Sequence, residues 1–308
     1  MSHICKILSG NRQHFQHGGN RQHFQHGPID LLIQAEGDPI AVQDAHVHAS
    51  KQFAEVLPTL VGELSRLRQP VRAGAPNTFV GPVANRMWQA CRPFVNENFI
   101  TPMAAVAGSV AQYILMSYQV PGIKRAWVNN GGDIALYLTR GTQLQLGLFS
   151  DLSRAIPSIL TAQLPDLDGM ASIFAGSGIG GVATSGWAGR SHSLGIADSV
   201  TVFASDAGLA DAAATILANA VNVDDDLIVR QPANSLSDDT DLEDRLVTVE
   251  VPKLDRSQVA QALSFGLKKA QTYVDNGLLQ SVVLMCQGQV VSATRLNARI
   301  KESALCHQ

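Results

Sequence analysis

An α+β fold, a sheet with packed helices, is predicted by three features of the 308-residue sequence. Residues 46–67 carry Phe53, Val56, Leu57, Leu60, Val61, Leu64 and Leu67 at three- and four-residue steps, the apolar stripe of an amphipathic helix. Residues 124–128, 134–139 and 143–149 are short β-rich runs separated by NNGGD and RGT, turn chemistry typical of a meander. An Ala-rich helical segment at 207–221, with Ser205 or Asp206 placed to cap it, follows a strand candidate at 199–204.

Taken in chain order, the first feature is a tandem repeat: GNRQHFQHG occupies residues 10–18 and again 19–27. Only the second copy leads into an apolar run, residues 29–35, read as a short strand. The first copy leads only into the second and is expected to belong to a flexible extension over residues 1–19, and two nonapeptides fall short of the three or more units a solenoid requires. In the helix at 46–67, Pro58 is expected to introduce a kink. Residues 83–91 and 103–118 read as further helices, with Pro102 near the start of the second. Residues 173–184 are Gly-rich, and 224–244 are acidic and polar, as in a long surface loop. After a strand at 247–251 and a helix at 257–275, residues 280–286 and 290–295 form a closing hairpin across Gln287, Gly288 and Gln289. Without a Pro- or Ser-rich linker, residues 20–300 read as one functional unit, whose length also allows two packed lobes, followed by a tail at 301–308.

With 45% hydrophobic and 16% charged residues, the composition excludes a disordered chain. A net charge of −3 gives no electrostatic footprint for nucleic acid. Cys5, Cys91, Cys286 and Cys306 form no CxxC pair, so neither a zinc ribbon nor a disulfide framework is indicated. The first residues lack the apolar core of a signal peptide, and the apolar stretch at 103–116 is too short to span a bilayer. A cytoplasmic protein without nucleic-acid or membrane partners is expected.

Three constellations could carry chemistry. In VNNGGDI, residues 128–134, Gly131 and Gly132 allow close backbone approach to a nucleotide or flavin flanked by Asn129, Asn130 and Asp133, and the same residues also suit an ordinary hairpin turn. In GSGIGGVATSGWAGR, residues 176–190, several N–H groups and Arg190 suit a phosphate, whereas a loop folded for packing explains the glycines equally well. It has neither the strand-to-helix context of a dinucleotide fingerprint nor the Gly-Lys-Ser/Thr of a P-loop. Asp211 and Thr215 share one face of an apolar helix, with Asn219 a turn further on. A buried carboxylate demands a partner, either a hard cation such as Mg²⁺ or a hydrogen-bonding loop. The HxxH pairs His14/His17 and His23/His26, with His46 and His48 as a further pair, make zinc conceivable, although the two HxxH pairs read first as incidental or structural. His192 follows the glycine loop and could meet a ligand there.

At these motifs the sequence resembles the ApbE superfamily of Mg²⁺-dependent FAD:protein FMN transferases. The matching blocks, in order, are VNNGGDI, ATSGW at 183–187, and DSVTVFA followed by LADAAAT within 198–215. From about residue 21 to 295 the chain is similar, more closely still, to an uncharacterised ApbE-related family through RQHFQHGPIDL, ITPMAAVAGSVA, VNNGGDIAL, SGWAGRSHSLGIADSVTV and ADAAATILANAV. The resemblance implies a T-fold-like architecture and a small-molecule ligand, FAD or a related flavin. Its binding residues would be Asn129, Asn130, Gly131, Gly132 and Asp133, with Thr184, Ser185, Gly186 and Arg190. It further implies Mg²⁺ on Asp211 and Thr215, FMN transfer to Thr or Ser of a flavin-acceptor protein, and His192 as the candidate catalytic residue. Homo-oligomerisation stays open. Two departures from the transferases stand out: residues 102–110 contain no Lys, and His192 is followed by Ser-Leu-Gly. The alternative is therefore a binding module that keeps the pocket without the transfer chemistry.

Overall fold

The computed structural model describes residues 5–6, 12–16, 19–148, 169–189 and 191–295. The protein is α+β, and the chain divides into two compact units. The first comprises residues 1–142, 178–183 and 203–213, and the second 143–177, 184–202 and 214–308.

The first unit is built on an antiparallel sheet in which β1 (Cys5–Lys6), β2 (Arg12–Gln16), β3 (Arg21–His26), β4 (Ile29–Gly37), β5 (Ile123–Asn130) and β6 (Asp133–Leu138) follow one another in chain order. In β4, Ile29, Leu31, Ile33 and Ala35 are buried while the intervening residues are not, as the two-residue period of a strand covered on one face requires. The covering layer includes α1 (Pro39–Leu67), which begins well before the residue 46 expected from its stripe. Asp38 starts it, accepting the N–H groups of Ile40 and Ala41 at 3.0 Å, and Pro39 stands where no intrahelical N–H is needed. The helix runs on through Pro58. A second helix, α2 (Pro82–Cys91), precedes α3 (Val106–Leu115), which is flanked by 3-10 turns at Pro102–Ala105 and Met116–Tyr118. Ile114, Leu115 and Tyr118 join Leu31, Ile33, Ala126, Val128 and Ala135 in one core.

The first nonapeptide copy departs from expectation. Arg12–Gln16 pairs antiparallel with β3, with Phe15 opposite His23, so this stretch is a strand and not a pendant extension. RQHFQH was illegible as a strand because it offers a single apolar residue. Phe24 is nevertheless buried, its ring 5.4 Å from that of Phe53 on α1.

In the second unit, β7 (Gln143–Leu148) pairs with β8 (Gly169–Phe174). The expected end of β7 at Phe149 lies outside the described residues. β9 (Gly181–Ser185), β10 (Ser199–Ala204) and α4 (Ala207–Ala220) contribute residues to both units. The acidic segment at 224–244 is not wholly loop, since it holds β11 (Val229–Pro232) and the short helix α5 (Ala233–Leu236). β11 pairs with β12 (Leu246–Glu250). Helix α6 (Arg256–Asp275) opens with a capping box between Asp255 and Gln258. β13 (Ser281–Cys286) and β14 (Gln289–Thr294) close through Gln287 and Gly288, whose φ values of 42° and 77° define a two-residue turn one residue shorter than expected. No helix among the described residues is long and apolar enough to cross a membrane.

Candidate functional site

The hairpin between β5 and β6 turns through Gly131 and Gly132, with φ 66° and 116°. Both lie in the left-handed half of conformational space, which side-chain-bearing residues avoid. Asn129 locks the turn by accepting the Gly132 N–H at its Oδ1, 2.9 Å away. Asn130, opposite Asp133 in the register, is buried and donates from Nδ2 to the Ala107 carbonyl at 3.1 Å. Alternation therefore divides the predicted cluster. Asn130 and Asp133 stand on the face that α3 covers, and Asn129 stands on the opposite face.

Asp211 approaches the same region from α4. Its Oδ2 accepts the Gly108 N–H at 2.9 Å, and the Ala107 N–H donates to it as well. These amides belong to the first turn of α3, where N–H groups have no intrahelical acceptor and the helix dipole favours negative charge. The approach depends on glycine: a Cβ on Gly108 would lie 2.1 Å from the Ala207 carbonyl oxygen and 2.9 Å from the Asp211 Cβ. Burial pushes the Asp211 carboxyl well above the usual carboxylate range, and the neighbouring negative charge of Asp133 pushes it further, against the opposing pull of the Gly108 and Ala107 amides. The two carboxyl groups repel one another, and either a proton or a cation relieves the repulsion. Spacing pointed to Asp211, and the turn to Asp133. Ala107 and Gly108 were missed as partners, their one signal being the run of small residues AVAGSVA at 105–111.

Thr215 lies one turn beyond Asp211 on α4, half-buried. The next member of that polar stripe, Asn219, is occupied by protein: its Oδ1 accepts the Leu194 N–H at 2.8 Å and the Ser193 hydroxyl at 3.1 Å.

The glycine loop is used largely for packing. A Cβ on Gly180 would meet the Ser205 carbonyl at 2.3 Å, and one on Gly181 the Ala207 nitrogen at 2.2 Å. In the second unit, Gly186 sits against the Asp198 carbonyl, 2.1 Å from a built Cβ. Thr184 is exposed and shares a 2.9 Å hydrogen bond with Thr201, and Ser185 is half-buried beside it. His192 is exposed in this unit, and Arg190 lies outside the described residues. Of the other histidines, His23 Nε2 lies 2.5 Å from Asp30 Oδ1, His46 Nδ1 lies 2.8 Å from the Tyr118 hydroxyl, and the His26 ring packs edge-on near Phe53. His17 lies outside the described residues. Among the described residues, no group of three His, Cys, Asp or Glu side chains is placed to hold a metal by itself.

The model of one bacterial protein family matches residues 12–292, nearly the whole described chain. The chain belongs to that family, AbpE bacteria. Among relatives of this AbpE-family chain is the UPF0280 protein of Methanothermobacter thermautotrophicus, 40% identical over 144 residues, which cover 46% of this chain and 50% of the relative. The UPF0280 protein of Archaeoglobus fulgidus is 37% identical over 141 residues, 46% and 51% of the two chains. That of Methanopyrus kandleri is 37% identical over 173 residues, 55% and 61%. The chain spans about half the length of the curated relatives it matches. The matched AbpE span includes the hairpin turn, the amides of α3 and the Asp211–Thr215 turn of α4.

Proposed function

We propose that the protein binds a flavin such as FAD, or a related phosphate-bearing small molecule, together with Mg²⁺ at Asp133, Asp211 and Thr215. The juxtaposition of Asp211 and Asp133 carries this reading. An all-oxygen donor set with two carboxylates fits a hard divalent cation, and ligand phosphates and water would complete its octahedral shell. The raised Asp211 carboxyl fits equally well, because a bound cation favours the ionised form that burial and Asp133 oppose. When bound, the cation would supply positive charge to a pyrophosphate. The protein's own part is to hold the carboxylates in place. Gly108 and Ala107 fix Asp211, and Asn130 ties the hairpin turn to the first turn of α3. A T-fold-like architecture, a cytoplasmic location and, for a transferase, a Thr- or Ser-bearing acceptor protein belong to the same proposal.

Calorimetric titration with FAD tests it. Affinity should rise with Mg²⁺ over chelator in the wild type, and Asp211→Asn should lose most of that rise while keeping a native circular-dichroism spectrum. Equal affinity with Mg²⁺ and with chelator would overturn the metal assignment. The second reading, a binding module without transfer, is favoured by the exposed position of His192, which leaves the candidate catalytic group to solvent. Intact FAD released from natively purified protein supports the module, and AMP formation from FAD by that protein supports the transferase.

A further inference from the structure

On the sheet face of the first unit opposite α3, Arg21, Leu32, Gln34, Trp127 and Asn129 line a half-open cavity of about 190 Å³. The strand register builds it. Arg21 of β3 lies opposite Gln34 of β4, which lies opposite Trp127 of β5, and Leu32 lies opposite Asn129 one pair along. The lining holds a guanidinium, an indole N–H and two carboxamides, but no carboxylate. Asn129 commits its Oδ1 to the Gly132 N–H, so its amide donor remains for a ligand. The acidic residues of this face are already engaged: Asp30 lies 2.5 Å from His23, and Glu36 pairs with Arg125 at 2.6 and 2.8 Å. Arg125 is thereby neutralised, and Arg21 is left as the cation of the cavity. A guanidinium beside amide donors, with no carboxylate in the lining, favours an anion. The indole face and Leu32 favour a flat apolar body beside it. The cavity is smaller than the ~300–1,000 Å³ of drug-sized pockets and has room for about one ring inside it.

We propose that this cavity is a second binding site, for a small aromatic or heteroaromatic carboxylate. It lies on the sheet face away from Asp133 and Asp211, and it stands whether or not those residues hold a metal.

Benzoate is the probe, with benzamide as its neutral counterpart and inorganic phosphate as an anion without a ring. Trp127 fluorescence is read in a Trp88→Phe/Trp187→Phe background, and wild-type calorimetry provides a second measurement free of those substitutions. The expected result is saturable benzoate binding, weakened about tenfold by Arg21→Gln at an exposed position that leaves folding intact, and largely restored by Arg21→Lys. Benzamide and phosphate should each bind at least about tenfold more weakly than benzoate. No saturable response to benzoate by either method, or equal affinity in Arg21→Gln, would overturn the site. Benzamide binding as tightly as benzoate would overturn the anionic class, and phosphate binding as tightly would overturn the flat body. Asp211→Asn should leave benzoate binding unchanged, which separates failure here from failure of the Mg²⁺ reading.

Discussion

Asp211→Asn should stabilise the metal-free protein at neutral pH while removing its response to Mg²⁺. Asparagine keeps an oxygen that can accept the Gly108 N–H, so the bond to α3 is preserved, and the charge that burial and Asp133 oppose is gone. The sign follows from proton linkage. An aspartate titrates at about 3.9 in the unfolded chain. Asp211 holds its proton more tightly in the native state, so above pH 3.9 the folded protein binds more protons than the unfolded one, and stability falls as pH rises until the native carboxyl has also ionised. Each tenfold excess of native over unfolded proton affinity costs about 1.4 kcal/mol once pH exceeds both values. In a chain of this size that is about 2 °C or more in Tm. The assay is thermal unfolding between pH 3.5 and 8 in chelator, followed by the same series in Mg²⁺. Wild type and variant should coincide at the acidic end, the variant should gain progressively with pH, and Mg²⁺ should reverse the order by stabilising the wild type alone. A variant less stable than wild type at pH 7.5 in chelator would refute the reasoning, because the carboxylate would then be a net stabiliser that needs no cation.

Three further outcomes follow from the geometry. Gly181→Ala should lower stability by about 3 kcal/mol, seen as a shifted denaturant midpoint, because the new Cβ would lie 2.2 Å from the Ala207 backbone nitrogen, which cannot move aside as a flexible side chain does. Gly132→Val should weaken FAD binding in a fluorescence titration and cost about 1–3 kcal/mol of stability; nothing lies within 4 Å of the built Cβ, so the cost comes from φ 116° and not from a clash. Deleting residues 10–18 should leave FAD affinity unchanged but strip β2 from the edge of β3, and light scattering should then show concentration-dependent self-association as unpaired strand groups are exposed.

Much of the helical part of the fold was legible because its signals are local. The stripe from Phe53 to Leu67 lies within one helix, and the Asn-Asn-Gly-Gly-Asp turn carries its conformation in its own residues. What escaped was structure whose stabilisation comes from a neighbour. Arg21–His26 shows almost no apolar alternation, yet it is a strand because β4 supplies the ladder and Phe53 covers Phe24. The start of α1 escaped for a different reason: its first turns depend on Asp38 and Pro39 and meet the core through Val42, Ala45 and Ala49, mostly small residues that make a weaker stripe than the one from Phe53 onward.

The same division runs through the candidate site. Spacing can say that Asp211 is a carboxylate on an apolar helix and therefore needs a partner. It cannot say which, because the partner amides lie 103 residues away, on Gly108, and on Ala107, two residues chosen for having little or no side chain. Their contribution is backbone N–H, which every residue except proline possesses and no motif displays. Glycine at 108 becomes informative only when the helix bearing Asp211 is seen to pass within 2.1 Å of where its Cβ would stand. The sequence also treated Asn129, Asn130 and Asp133 as one cluster, although a strand must point Asn129 and Asn130 to opposite faces. One short hairpin thus presents two chemistries, an acidic one toward α3 and a donor-rich one toward Arg21 and Trp127. A substitution at Asn129 should disturb both, because its Oδ1 holds the turn through Gly132 while its amide faces the second cavity.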